Sequence, residues 1–98
     1  MSALHQMFED VNDDFLKFDR IPEADRLHPH GKICGLLKVY SLLKDDETRR
    51  AYCFSANHDE LAVAEESDLV PLDRETVLYL ARCGVIHNKS DEYLFMFT

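Results

Sequence analysis

Residues 31–44 read GKICGLLKVYSLLK, and this is the most apolar run of the chain. Read with a helical period, one broad apolar face holds Ile33, Leu36, Leu37, Tyr40 and Leu43. The apolar surface continues around the helix through Cys34, Val39 and Leu42. Because a helix that is apolar nearly all round is normally buried, we expect this segment to be the central core helix. A buried strand is the alternative, since short apolar runs are ambiguous.

A second helical pattern precedes it, over residues 2–18, with Ser2 as the expected N-cap. Its apolar residues are Leu4, Met7, Phe8, Val11, Phe15 and Phe18. The opposite face is acidic, and its like-charge pairs four residues apart cost about 0.2–0.5 kcal/mol each. We therefore expect the apolar face to hold this helix by packing, and residues 19–30, with two prolines, to form a connector.

Two β-hairpins follow the central helix in the predicted order. Apolar segments 50–56 and 61–65 flank the polar loop 57–60, which predicts that Ala56 lies opposite Leu61 and Phe54 opposite Val63. The second hairpin joins residues 85–87 to residues 92–98 through a turn at 88–91. Aromatic and β-branched residues around polar turns are typical of antiparallel strands.

Between the hairpins, residues 74–83 predict a third helix. Asp73 is a good N-cap, and Gly84 provides a C-terminal stop. The residues expected to face the core are Val77, Leu80 and Ala81. The whole chain therefore reads α-α-β-β-α-β-β, which predicts one small α+β domain over residues 1–98: an antiparallel sheet of two hairpins with three helices.

Composition limits the classes of function. A formal charge of −8 over 98 residues disfavours generic attraction to nucleic acid or anionic lipid, and it serves solubility. No apolar run approaches the ~20 residues that span a bilayer, and no secretory signal is visible. The odd number of cysteines, each among apolar neighbours, favours free thiols in a reducing compartment. We expect a cytoplasmic protein.

Candidate metal ligands do not form a diagnostic pattern. Residues 10–14 match the opening of a calcium loop, but Phe15 and Ile21 stand where glycine and glutamate are required. Three ligand-capable side chains, His28, His30 and Cys34, lie within seven residues of one another. Structural zinc sites usually carry paired ligands such as C-x₂-C, and none exists here. We therefore predict no metal and no cofactor.

Two further functions remain as alternatives. Cys53 and His58 lie on one predicted hairpin and could form a thiol–imidazole pair, but no third group to orient them is evident. The last helix and hairpin could be a winged-helix module, with Arg74 and Arg82 on the helix and Lys89 at the hairpin tip. The acidic charge makes nucleic-acid binding the weaker interpretation.

The acidic residues supply the preferred hypothesis, a protein-interaction or regulatory domain whose partner carries a basic surface. The residues predicted to meet that partner are Glu9, Asp10, Asp13, Asp14, Asp59, Glu60, Glu65, Glu66 and Asp68. Self-association is also predicted if the last strand, with Tyr93, Phe95 and Phe97, forms a sheet edge. Core packing is the favoured interpretation of those three aromatic residues.

Overall fold

A computed structural model describes residues 3–52, 55–57, 59–88, 90 and 92–97. This part of the chain contains four α-helices: α1 Ala3–Asp10, α2 Gly31–Ser41, α3 Asp46–Arg50 and α4 Arg74–Arg82. Its four strands are β1 Ser55–Asn57, β2 Glu60–Glu65, β3 Ile86–Asn88 and β4 Tyr93–Phe97. The predicted α+β class and element order are confirmed, with α3 as one helix more than expected.

The strands form one antiparallel sheet in the order β1-β2-β4-β3. Ala56 lies opposite Leu61 as predicted, but Asn57 also pairs with Glu60, so the first hairpin loop is shorter than the four residues expected. The predicted partner of Val63, Phe54, lies outside the described residues. The register between β2 and β4 shifts at Val63, which identifies a β-bulge.

The core lies between one face of this sheet and the helices. Strand residues Val63, Leu94 and Met96 are almost completely buried there. The helices and their flanking residues contribute Leu4, Phe8, Val11, Val39, Leu43, Val77, Leu80 and Ala81 to the same cluster. Burial of side chains of this size stabilises the fold by about 1.5–3 kcal/mol each.

The first helix is shorter than predicted. It ends at Asp10, and a 3₁₀ turn over Asn12–Asp14 follows. The Asp14 carboxylate pairs with Arg20 at 2.8 Å and with Arg82 at 3.4 Å. These ion pairs, added to the like-charge repulsion within a longer helix, favour the turn over helix continuation. Leu16 then has a positive φ of 63°, at which the backbone turns.

The central helix lies where predicted, and Leu36 and Leu43 of its predicted inner face pack in the core, but the other three residues of that face do not. Its buried residues are Cys34, Gly35 and Val39, whereas Ile33, Leu37 and Tyr40, expected to be buried, are exposed. Gly35 supplies the physical reason. A Cβ at Gly35 would lie 3.1 Å from the Cβ of Cys83 and 3.2 Å from Cε of Met96, so this turn of α2 approaches the core so closely that a side chain here would push its neighbours aside.

The additional helix, α3, begins at a capped position. Asp45 accepts a 2.7 Å hydrogen bond from the backbone N–H of Thr48, which satisfies an orphan donor of the first turn. Arg49 donates to the carbonyl oxygen of Leu43 at 3.1 Å and fixes α3 against the end of α2. The interpretation of residue 50 as the start of a strand was wrong, because Arg50 is the last residue of α3.

The last helix follows its prediction closely. Asp73 caps α4 by accepting a 2.8 Å hydrogen bond from the Thr76 N–H, and Val77, Leu80 and Ala81 are buried. Gly84 has a φ of +93°, which only glycine adopts readily, and it ends the helix as expected.

The last strand is not a sheet edge. β4 is hydrogen-bonded to β2 on one side and to β3 on the other, so the premise for self-association through an edge formed by Tyr93, Phe95 and Phe97 was wrong. Phe95 is 7% exposed and makes ring contacts with both Tyr93 and Phe97 on the sheet face opposite Leu94. None of the described helices has the length and apolarity needed to cross a bilayer.

Candidate functional site

The outer face of α2, defined as Ile33, Leu37 and Tyr40, is an exposed apolar stripe. These side chains are 41%, 43% and 43% exposed. They occur at positions i, i+4 and i+7, which is the spacing of a helix face that packs against another element. Single exposed apolar residues are ordinary, but an aligned stripe is typical of an interaction surface.

Lysines border this stripe without covering it. The ammonium group of Lys38 lies 5.0 Å from the centre of the Tyr79 ring, which holds it toward α4 in a cation–π contact. Lys44 donates a 3.1 Å hydrogen bond to the carbonyl oxygen of Ser67. Because both side chains are held by their own contacts, the outer face of α2 stays accessible.

The stripe leads into a cleft. The ring of Tyr40 meets that of Tyr52 edge-on, with centroids 5.7 Å apart. Tyr52 in turn lines an open cleft of about 710 Å³ between α3 and strand β2. Ala62 and Ala64 form part of the strand side, where small side chains leave the space unfilled. The apolar stripe and the cleft therefore form one continuous surface, joined by the two tyrosines.

Carboxylates line this cleft, which we call the acidic cleft. They are Asp45, Glu47, Glu65 and Asp68, and the cation among the lining residues is Lys44. Hydrogen bonds from Thr48 hold the pKa of Asp45 below its ordinary value, so this group stays charged at neutral pH. With four carboxylates and one ammonium group among its lining residues, the cleft attracts a cationic group.

The predicted partner-binding residues do not form one surface. Glu65 and Asp68 join the acidic cleft at one end of β2, and Asp59 and Glu60 lie at its other end. Because β2 is six residues long, roughly 17 Å of strand separates the two ends. Glu66 lies beside the cleft segment but faces His87 on another side of the molecule.

The acidic group at the end of α1 is largely engaged within the chain. Asp10 accepts a hydrogen bond from Gln6 and lies 3.8 Å from Arg74. The guanidinium groups of Arg20 and Arg82 hold the pKa of Asp14 below its ordinary value. Glu9 pairs with His5, while Asp13 is exposed on the 3₁₀ turn. This group is thus a structural network more than an open acidic face.

The candidate metal ligands are dispersed. Cys34 is fully buried, with its Sγ 3.0 Å from the Tyr79 hydroxyl, whereas His28 accepts a hydrogen bond from the backbone N–H of His30. Burial, together with the neighbouring Cys34 thiol, raises the pKa of Tyr79 to about 12. Over the part of the chain that the structure describes, no group of three or more His, Cys, Asp or Glu residues is placed to hold a metal ion.

The two alternative functions gain little from this geometry. Cys53 and His58 lie outside the described residues, as does Lys89. Arg74 and Arg82 of the suggested recognition helix face Asp10 and Asp14, and the suggested wing is built into a four-stranded sheet. A winged-helix module presents such residues to DNA instead.

The sequence pattern missed the outer face of α2 because every turn of this helix is apolar. The signal that could have oriented it is Gly35, the only residue of the helix interior that permits close approach. No protein-family model, no curated protein and no solved structure matches this chain.

Proposed function

We propose that this chain is a small cytoplasmic protein-interaction domain that binds an amphipathic helical segment of another protein. The outer face of α2 carries the proposal, since Ile33, Leu37 and Tyr40 leave an aligned apolar stripe 41–43% exposed on the described fold. The free thiols of Cys34 and Cys83 agree with a reducing compartment.

The dimensions of the stripe favour a helix as the bound element. Positions 33 to 40 of α2 cover about 10 Å along the helix axis, which matches two turns of a partner helix. Helix-in-groove recognition uses apolar residues at i, i+3 or i+4, and i+7, and the outer face of α2 offers the same spacing. Tyr40 is the expected anchor, because large aromatic residues dominate interface energies.

Charge defines the rest of the partner. The acidic cleft begins where the stripe ends, beside Tyr52, so a lysine or arginine at one end of the partner helix would enter it. The proposal retains a partner with basic residues, as predicted from the acidic composition. It places Glu65 and Asp68 in the contact, and it leaves out the acidic residues at the end of α1. A second copy of this chain fits less well, because each copy carries a charge of −8.

A selection from a displayed library of helical peptides tests this proposal. We expect enriched peptides to combine an apolar i, i+4, i+7 ridge with a lysine or arginine near one end. Leu37→Glu should weaken binding of the selected peptide at least about tenfold, because it introduces a charge into the apolar contact. Leu27→Glu is the matched control, since Leu27 is also exposed but lies outside α2.

Two matched variants on β2 test the role of the acidic cleft. Glu65→Gln should weaken the selected peptide about two- to fivefold, with the loss shrinking at high salt, whereas Glu60→Gln at the far end of β2 should not. Enriched peptides that bind Leu37→Glu as tightly as the wild type would refute the proposal. So would a concentration-dependent dimer of the free protein that Leu37→Glu dissociates.

A further inference from the structure

His87 is a buried polar side chain in the core, and its surroundings suggest a second property. It lies on β3 with its side chain 0% exposed, and the ring of Phe8 from α1 stacks on it at a centroid distance of 6.2 Å. Its Nδ1 lies 3.0 Å from Nδ1 of His5, also on α1. Two imidazoles, 82 positions apart in the sequence, therefore join the first helix to the sheet.

A carboxylate stands at the outer nitrogen of each ring. Nε2 of His5 is 3.0 Å from Oε1 of Glu9, and Nε2 of His87 is 3.5 Å from Oε2 of Glu66. The four side chains form a linear chain in the order Glu9, His5, His87, Glu66, which we call the histidine clasp. Among the described residues, Nε2 of His87 has no hydrogen-bond partner beyond this longer ion-pair contact.

The number of protons on the two rings decides whether the clasp holds. Two neutral imidazoles carry two protons, of which one must lie between the Nδ1 atoms, so one outer nitrogen faces a carboxylate without a proton. Three protons satisfy every contact: one points at each carboxylate, and one is shared between the rings. A fourth proton would place two N–H donors face to face at 3.0 Å, where no hydrogen bond is possible.

We propose that the histidine clasp is an acid-sensitive latch that fastens α1 to β3 and opens when both imidazoles become protonated. This property is independent of the proposed partner and of the outer face of α2. The second positive charge breaks the Nδ1 contact. The two cations, one on α1 and one on β3, then repel each other, and this repulsion separates the helix from the sheet.

The groups around His87 support opening of the clasp in acid. Burial lowers the pKa of His87 from its ordinary value, and the charge of His5 lowers it further. Glu66 and, more weakly, Glu92 from the turn before β4 favour the charged form of His87 and partly oppose burial. His87 therefore becomes doubly protonated at a pH below 6.5, its ordinary value.

The helix held by the clasp is short and packs against α4 and β3. α1 contains eight residues, of which Leu4 and Phe8 are buried. A helix this short is not stable alone in water, so it depends on its packing. Release of α1 would expose Leu4 and Phe8 and would uncover the apolar surface beneath them.

A pH titration followed by NMR tests the clasp in the full chain. Amides of residues 3–10 and 86–88 should change together between pH 7.5 and 4.5, with a midpoint below 6.5 that equals the titration midpoint of the His87 ring. His5→Gln should uncouple the two segments and raise the His87 midpoint, because a neighbouring positive charge is removed. Glu66→Gln should lower that midpoint, because an attractive negative charge is removed.

His30→Gln is the matched control, since it removes an exposed histidine outside the clasp and should leave the transition unchanged. The proposal fails if the α1 amides stay unperturbed down to pH 4.5. It also fails if His5→Gln retains the coupled transition with the same midpoint. Because the side chain of His5 is 12% exposed and that of His87 is 0% exposed, the His5 variant is expected to fold even if a His87 variant does not.

Discussion

Helices α2 and α4 have similar lengths and pack against the same core, yet their outward faces differ. α4 buries Val77, Leu80 and Ala81, and it presents polar residues, such as Glu75, to solvent. α2 buries Cys34, Gly35 and Val39, and its outward face is apolar. The fold accounts for the whole composition of α4 but for only one side of α2. An apolar side that the fold does not use is evidence for a second contact.

The largest expected change in the free energy of unfolding comes from a substitution in the inner packing, a feature that the two helices share. Leu80→Ala on α4 should lower the free energy of unfolding by about 2–5 kcal/mol, because it leaves a cavity in a fully buried position. Chemical denaturation measures this change. Glu75→Ala on the exposed side of α4 is the control and should change stability by less than about 0.5 kcal/mol. Equal effects of the two variants would contradict the inward face assigned to α4.

An intermediate effect tests how α2 is oriented. Gly35→Val should lower the free energy of unfolding by about 1–3 kcal/mol, because a Cβ at this position has only 3.1 Å to the Cβ of Cys83. Leu37→Val on the outer face places the same side chain in the same helix and serves as the control. If Gly35→Val were as stable as wild type, α2 would not turn this position toward Cys83.

The smallest expected change in the free energy of unfolding comes from a substitution on the outer face of α2, the feature that distinguishes the two helices. Leu37→Glu should change the free energy of unfolding by no more than about 0.5 kcal/mol, because its side chain points to solvent on the described fold. Thermal and denaturant unfolding of the two proteins measure the difference. A loss above about 1 kcal/mol would mean that Leu37 belongs to the core and that α2 resembles α4 after all.

The same contrast explains how much of the fold follows from sequence. In α4, polar residues alternate with apolar ones at helical spacing, so Asp73, Val77, Leu80 and Gly84 could be assigned to their roles. In α2, apolar residues occupy nearly every position, so periodicity locates the helix but cannot orient it. The close approach of Gly35 to distant Cys83 agrees with the observed orientation, and within the helix Gly35 is the one sequence signal of it.

Long-range contacts also limit the prediction of the candidate site. Asp14 lies beyond the end of the first helix, where it pairs with Arg20 and with Arg82, 68 positions later. The acidic composition drew attention to Glu65 and Asp68, but their meeting with Asp45 and Glu47 depends on the tertiary fold. His5 and His87 carry no recognisable spacing, although a histidine after Val85 and Ile86 in an apolar strand hinted at a buried polar group.

The most direct test of the central claim is to map a selected helical peptide onto the ¹⁵N-labelled protein by NMR chemical-shift perturbation. We expect the largest shifts at Ile33, Leu37, Tyr40 and Tyr52, with small shifts on the exposed side of α4. Shifts centred on α4 or on the end of α1 would contradict the account. A selection that enriches no peptide binding the wild type more tightly than Leu37→Glu would contradict it equally.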